Sequence, residues 1–497
     1  MTTSLSCAPL ACIGAVLFAC SCTDGDRAAV ALPDGGQAGS TGAAGQSGTD
    51  GGAGAAGQPG LDGSLDADAA LDQAAMDVAM DGTQEAGEDG DCKLWETFVS
   101  EEGAASAEAQ KLALAEALLQ QVQGAGGFPI RCADQVHFMF QAPPSMSAPH
   151  VAGDFNGWDA SKAPMSLIAG STWRASLTID AGPNRYKYKF TDGSSWIADP
   201  VARRFGFDQN GEYALVSGGM GQGHLERLPA VSGAGLKARP LTMYLPPGYE
   251  AGGESLPVLY AHDGQNLFDP NGAYGSWKLD AAIEALLAQG EIEPMVVVGI
   301  HNTVDRMDEY THVADDLGSG PVGGKADAYY QLVTEAVMPL VEQHYRVKTG
   351  PQNTWTMGSS LGGLISLYFG MTHPEVFGRV AGLSTTAGWG SIGPGEHQPT
   401  IIELAQSAGK QALRIYLDSG GGPGSDGCPD TDQDGIQDDS ATAQDNYCES
   451  AQLRDVYAAA GYTFDVDLIH WWEPDAEHNE AAWAARLSHP LVALAGK

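Results

Sequence analysis

Thr354 to Gly370 reads TWTMGSSLGGLISLYFG. Thr354 to Met357 is short and apolar, as a buried strand is. Gly358-Ser359-Ser360-Leu361-Gly362 fits G-x-S-x-G, with Ser360 at its centre. From Gly363 to Gly370, Leu364, Leu367 and Tyr368 recur at helical spacing. Strand, tight turn and helix is the context in which a serine is held out at the top of a sheet as a nucleophile. The glycines suit a strained turn through which backbone must pass without a Cβ. Ser360 then stands beside the positive end of the following helix. Ser359 falls on the flank.

The segments around this stretch set the fold class. From about residue 238, LTMYLP, PVLYAHDG, PMVVVGI, TWTMG, RVAGLS, LRIYLD and FDVDLI read as strands. Helical segments such as WKLDAAIEALLAQ and ADAYYQLVTEAVMPLVEQHY separate many of them. Apolar strands alternating with helices predict an α/β domain over 238–497, with a doubly wound, mostly parallel sheet. The serine turn lies at a strand's C-terminal end, where such sheets place their ligands. Before it, residues 133–217 carry short alternating strands (VHFMFQA, WRASLTI, RYKYKFT, EYALV) and predict a small all-β, immunoglobulin-like sandwich. Residues 91–132 hold one helical pattern, AEAQKLALAEALLQQV.

Composition narrows the function. The chain of 497 residues has 25 Lys and Arg against 63 Asp and Glu, a formal charge of −38. That balance argues against a nucleic-acid partner. Between Arg27 and Lys93 there is no basic residue, and residues 23–90 are rich in Gly, Ala and Asp. Such a segment cannot bury enough apolar surface to offset its ordering entropy, so a disordered acidic tether is expected. Residues 1–22 resemble a lipoprotein signal: an apolar core too short to span a bilayer, then Leu17-Phe18-Ala19-Cys20. The resemblance implies export, cleavage before Cys20 and a lipid anchor on that cysteine, with Cys22 as the alternative. Four further cysteines fall into two pairs, Cys92–Cys132 and Cys428–Cys448, and export predicts disulfides.

A serine nucleophile needs a base, an acid and an oxyanion site. In α/β hydrolases these follow in the order Ser, acid, His. Five histidines follow Ser360: His373, His397, His470, His478 and His489. His478 lies in EPDAEHNEAAWAARL, after the last expected strand, where a base can hang over the serine. His470 sits in LIHWW and reads as structural. The acid must follow LRIYLD. Asp418, Asp426, Asp445 and Glu449 are in range; Asp445, just before a helix, is preferred, with Asp426 next. Leu361 N–H supplies one oxyanion donor, and Gln265, in the loop of LYAHDGQNLFD, is chosen for the other.

YAHDGQNLFD, SWKLD, RMDEYT, GSSLGGLISLYFG, HPEVFGRVAGLS and AEHNEAAWAARL occur in that order. Together they resemble the esterase family of enterochelin-type siderophore esterases and carbohydrate esterase family 1. VAGDFNGWD, followed by YKYKF and DP, resembles the early-set domain of family 48 carbohydrate-binding modules, which often precedes the hydrolase domain in this esterase family. The resemblance implies an exported serine esterase acting through an acyl-enzyme on feruloyl, acetylxylan or siderophore-type esters. It also makes Trp158, Trp173 and Trp196 candidates for stacking on sugars, the alternative being that they fill the core or the domain interface. A second reading is a glycan-binding surface lipoprotein whose hydrolase domain is inactive.

One insertion, 427–448, departs from the family. Asp430, Asp432, Asp434 and Asp438 fit D-x-D-x-D-G-x-x-D, with Gly435 at the sharp turn and Ile436 at the position that ligates through its carbonyl. This resembles a calcium loop, since Ca²⁺ prefers oxygen ligands. Ala441 stands where such loops carry an acid, and Asp439 is the nearby substitute. The ion is expected to be structural, because a triad needs no metal.

Overall fold

The computed structural model describes residues 88–124, 127–180, 185–217, 219, 221–425, 427–439 and 445–497. The lipobox cysteines Cys20 and Cys22, Asp426 and Ala441 lie outside them, as does nearly all of the 23–90 segment.

Eight strands build the part of the sheet that carries the site: β1 (His224–Gly233), β2 (Leu236–Leu245), β3 (Val258–His262), β4 (Val296–Ile300), β5 (Thr354–Ser359), β6 (Arg379–Leu383), β7 (Arg414–Ser419) and β8 (Leu468–Trp472). Their order is β8-β7-β6-β5-β3-β4-β2-β1. The six from β8 to β4 run parallel, while β2 is antiparallel to β4 and β1 to β2. β3, β4 and β5 are buried along their whole length, as strands covered on both faces are. One face packs against the helices Ala326–Leu332, Leu361–Thr372, Ile401–Ala408 and Tyr447–Ala459 through residues such as Tyr329, Leu364, Ile402 and Leu453. The other packs on Leu279–Gln289 and Ser488–Ala495 through Ile283, Leu286 and Leu491.

The last strand is displaced from its expected place. FDVDLI alternates like a strand, but Thr463 to Asp467 form a turn in which the Asp467 side chain accepts from Thr463 N–H, and β8 begins at Leu468. Phe464 and Val466 of that pattern are exposed, 47% and 61%. Their alternation therefore belongs to a turn and not to a buried pleat.

Residues 133–217, together with Ile130–Cys132 from the end of the expected helical segment, form two sheets around Phe138, Phe140, Tyr188 and Phe190. One is four-stranded: Ile130–Cys132, Gln135–Gln141, Thr172–Thr178 and Ser166–Ala169. The second does not close within that segment. Its strand Arg204–Asp208 pairs with β1, so one hydrogen-bonded sheet of 13 strands runs from the sandwich into the α/β domain. The strand that joins them, β1, lies in the interval between the two domains expected from sequence. Buried charges seal the same junction: Tyr345 O–H donates to Glu226 Oε2 at 2.8 Å and accepts from Arg203 Nη2 at 2.9 Å.

The helical segment is a pair, not a single helix. Glu88–Ala104 precedes Glu108–Gly124, and Trp95 and Phe98 pack with Leu118, Val122, Met139 and Ile168. The earlier helix is acidic, which hides its apolar face in the composition. The disulfide Cys92–Cys132 ties it to the first strand.

Candidate active site

Ser360 stands between β5 and the helix Leu361–Thr372 at φ 56° and ψ −123°. L-residues rarely adopt a positive φ, and strain of this kind persists only where the surroundings enforce it. The enforcement is visible in the glycines. A Cβ built on Gly358 would lie 2.5 Å from both the carbonyl carbon and the oxygen of Gly362, so the two outer glycines of the motif lie against each other. Ser359 is buried at the end of β5, whereas Ser360 is half-buried at the helix N-terminus. Leu361 opens that helix, where the first N–H groups have no intrahelical partner.

His478 and Asp445 come together above the sheet. His478 Nδ1 is 2.7 Å from Asp445 Oδ1. Asp445 is itself at φ 66° and its side chain is wholly buried. Its Oδ2 accepts from Ser384 Oγ at 2.7 Å, from Arg486 Nη2 at 3.0 Å and from Gly420 N–H. A Cβ on Gly420 would meet Asp445 Oδ2 at 2.5 Å, so this close approach requires glycine. Trp483 packs edge-on to the His478 ring, 4.9 Å between centroids, and donates Nε1–H to Ser384 Oγ at 2.9 Å. Asp418 is also buried here, bonded to Arg486 at 3.1 Å and to Tyr416 O–H at 2.9 Å. Burial pushes its carboxyl up, with Arg486 and Tyr416 opposing.

No hydrogen bond joins Ser360 Oγ to His478 in this structure. The serine hydroxyl lies 3.3 Å from Thr386 Oγ1, which in turn is 3.3 Å from Asn446 Nδ2, next to Asp445. The other histidines are engaged elsewhere. His373 stacks on Tyr330, His489 stacks on Trp471, and His397 bonds Asp434 and Glu403. His470 lies in β8, where burial lowers its pKa to about 4.

On the other side of Ser360, the loop after β3 forms a short turn, Gly264–Asn266. Gln265 Oε1 accepts from Asn302 N–H at 3.1 Å. A Cβ on Gly362 would lie 3.2 Å from Asp263 Oδ2, which places this loop against the serine turn. Asp263 is held by Arg306 through two bonds of 2.8 Å. In RMDEYT, then, Arg306 grips the Asp263 loop, and Glu309 pairs with buried Arg239 through two bonds of 2.7 Å.

The insertion is closed by Cys428–Cys448. Carboxylate oxygens of Asp430, Asp432 and Asp434 lie within 4.8 Å of one another. Gly435 has φ 96°, and the Ile436 side chain is buried. Asp438 stands outside that group; its Oδ2 accepts from Thr431 N–H at 2.8 Å. Asp439 is turned to the disulfide, accepting from Cys448 N–H at 2.7 Å. In the sandwich, Trp173 packs against the core, but Trp158 and Trp196 lie 6.0 Å apart. With Lys189, Asp208, Asn210 and Tyr213 they line an open cleft of about 500 Å³.

Residues 236–494, more than half of the chain, match the family described as "Putative esterase". The chain belongs to this esterase family. Residues 128–202 match the family described as "Carbohydrate-binding module 48 (Isoamylase N-terminal domain)". Among curated proteins the chain is 30% identical over 151 residues to "Uncharacterized protein YbbA" of Bacillus subtilis, covering 29% of this chain and 56% of that one. It is 23% identical over 190 residues to "Endo-1,4-beta-xylanase/feruloyl esterase" of Xylanibacter ruminicola, 36% of this chain and 23% of that one. The matches thus span little more than half of the first relative and under a quarter of the second. A solved ferric enterobactin esterase from Salmonella typhimurium is 18% identical, with 76% of this chain and 98% of that one covered and a TM-score of 0.41.

The residues missed from sequence are those that hold the site. Ser384, Thr386, Asn446, Trp483 and Arg486 act through contacts between distant segments. The one signal was position: Trp483 and Arg486 sit in AEHNEAAWAARL, five and eight residues after His478.

Proposed function

We propose that this protein is an exported serine esterase that hydrolyses carboxylic esters through an acyl-enzyme. The observation that carries the reading is the contact chain His478–Asp445 and Asn446–Thr386–Ser360, which brings an acid–base pair to a strained serine at a helix N-terminus. Ser360 Oγ attacks the ester carbonyl while His478 takes its proton, and the alcohol leaves with that proton. Water then repeats the sequence and releases the acid. Asp445 holds the imidazole tautomer and supports the imidazolium. The N–H of Leu361 and a backbone donor of the Gln265 turn receive the oxyanion.

Feruloyl, acetylxylan and siderophore-type esters are the substrate classes in view, and the name of the Xylanibacter relative favours the first. The cleft between Trp158 and Trp196 supports glycan binding by the sandwich, since the exposed Trp196 indole and the half-buried Trp158 indole offer flat apolar faces to a sugar ring. A calcium ion would be held by Asp430, Asp432 and Asp434 with the Ile436 carbonyl and Asp438, and would brace the insertion that carries Asp445. Cys20, or Cys22, would anchor the chain by lipid.

The test is a fluorophosphonate probe, which labels only an activated serine. Wild type is labelled, Ser360→Ala is not, and Ser359→Ala is. An unlabelled wild type would leave the inactive, glycan-binding lipoprotein as the better reading. Hydrolysis of p-nitrophenyl acetate, methyl ferulate and a ferric siderophore separates the substrate classes.

A further inference from the structure

We propose that Thr386 is a catalytic residue that donates a hydrogen bond to Ser360 Oγ, with Asn446 as the positioning residue that fixes its direction. This rests on the reading of Ser360 as nucleophile.

The direction follows from donor and acceptor capacity. Asn446 Nδ2 lies 2.8 Å from the Ser384 carbonyl oxygen. A carbonyl only accepts, so the atom facing it is the amide nitrogen. The same nitrogen is 3.3 Å from Thr386 Oγ1. It has a second hydrogen to give, and the threonine oxygen receives it. The Thr386 proton then points away from Asn446, and Ser360 Oγ is 3.3 Å away to accept it. Ser360 Oγ thereby accepts from Thr386, and its own proton stays free for His478.

The surroundings keep this geometry. Thr386 N–H donates to the Ser360 carbonyl at 3.3 Å, and Ser360 N–H donates to Leu383 O at 2.9 Å, so the threonine loop and the serine turn are tied at both ends. Asn446 is held at φ 55° beside Asp445. The base-holding acid and the threonine-orienting amide are therefore neighbours on one backbone.

The chemistry gives the bond a purpose. As the Oγ–H proton passes to His478 and the bond from Oγ to the carbonyl carbon forms, the carbonyl π pair moves to its oxygen. Before that bond is complete, Oγ carries negative charge, and a donor at 3.3 Å stabilises it. In the acyl-enzyme Oγ is an ester oxygen and a weaker acceptor. When water attacks, Oγ leaves and regains the charge, and the bond from Thr386 strengthens again. Such a donor acts on the transition state more than on the bound substrate.

Thr386→Val keeps the shape and removes the donor. The expected result is a loss of about ten- to a hundred-fold in kcat and in fluorophosphonate labelling rate, with KM changed by no more than about two-fold. Thr386→Ser restores most of both. Asn446→Ala loses several-fold, and adding it to Thr386→Val costs little more, because both act through one bond. Wild-type labelling by Thr386→Val, a Thr386→Ser variant as slow as Thr386→Val, or fully multiplicative losses in the double variant would overturn the proposal. Should Thr386→Val fail to fold, Thr386→Ser and Asn446→Ala decide it: serine near wild type with alanine several-fold slower supports it, and alanine at wild-type rate sinks it. If wild type itself is not labelled at Ser360, the esterase reading has failed; if it is labelled and Thr386→Val matches it, only the role of Thr386 has.

Discussion

Asp445 divides its carboxylate between two partners: Oδ1 lies 2.7 Å from His478 Nδ1 and Oδ2 lies 3.0 Å from Arg486 Nη2. One oxygen thus faces the imidazole and the other is fixed to the scaffold. Asp445→Asn can keep the contacts around Oδ2 while presenting an amide that favours the wrong imidazole tautomer. The expected outcome is a native melting temperature with kcat lower by about 10³- to 10⁴-fold. Asp426→Asn should leave turnover intact. Steady-state kinetics on p-nitrophenyl acetate check both, and the reverse pattern would move the acid to Asp426.

Arg486 is buried and bonds Asp418 as well as Asp445. Arg486→Met leaves two buried carboxylates without their cation. Removing one partner of a buried ion pair costs about 3–5 kcal/mol, so a large fall in melting temperature is expected, with kcat falling as Asp445 loses its hold. A variant that melts and turns over like wild type would show that Ser384 and Gly420 suffice to hold the acid.

The parts legible in the sequence were those encoded locally. The serine turn repeats glycine at fixed offsets, and packing between Gly358 and Gly362 is the physical reason. The expected partner of His478 could be placed only by its position relative to β7 and the following helix. What holds that partner was illegible: the bond from Arg486 to Ser384 spans 102 residues, and no local pattern encodes it. The sheet followed the same rule. Strands β3 to β7 show as apolar runs because both faces are covered. β1 is buried from His224 to Glu226 and largely exposed beyond Leu228, with charged Glu226 and Arg227 and Pro229 interrupting any apolar run, and it vanished into the interval between domains. Thr386 had no signal of its own, since a threonine in a loop after a strand is ordinary until a serine hydroxyl is found beside it.

Gly358→Ala should be far worse than Gly362→Ala. At Gly358 the new Cβ meets backbone on both counts, 2.5 Å from Gly362 C and O, and backbone cannot swing aside. At Gly362 the nearest atom is Asp263 Oδ2 at 3.2 Å, the tip of a side chain. Loss of soluble protein is expected for the first. For the second a modest drop in melting temperature is expected, with activity reduced because Asp263 supports the loop of Gln265. Equal thermal stability of the two variants would count against the packing account of the motif.

His262 predicts acid lability. It is buried between Tyr329 O–H and Thr356 Oγ1, each 3.0 Å from a ring nitrogen, and burial lowers its pKa from 6.5 to about 3, with Asp263 opposing. Between those values the unfolded chain binds a proton that the folded chain refuses. Stability is therefore full above pH 6.5 and falls as pH drops toward 3. His137 and His301, both lowered to about 4 by burial, act with the same sign. These three histidines therefore pull the melting temperature down as pH falls from 6.5 to about 4, while buried Asp199 and Glu449, pushed up to about 6 and about 8 by burial, pull the other way. His262→Gln should lessen the downward pull, and an unchanged slope would remove His262 as a cause.

The calcium proposal has its own readout in stability. If Asp430, Asp432 and Asp434 hold the ion, binding favours the folded state by mass action, so EDTA should lower the melting temperature and excess Ca²⁺ should restore it. Asp432→Asn removes one ligand charge and should blunt that response. It is a better choice than Asp434, because Asp434 Oδ2 also bonds His397 at 3.0 Å and its loss would mix two effects. If the ion braces the insertion, Asp445 should be braced with it, since Asp439 accepts from Cys448 N–H and Asp445 lies three residues before that cysteine. Chelation should therefore lower kcat along with stability, and the labelling rate of Ser360 should follow the same calcium titration. A melting curve indifferent to EDTA and to added Ca²⁺ would leave the aspartates as a solvated loop closed by its disulfide.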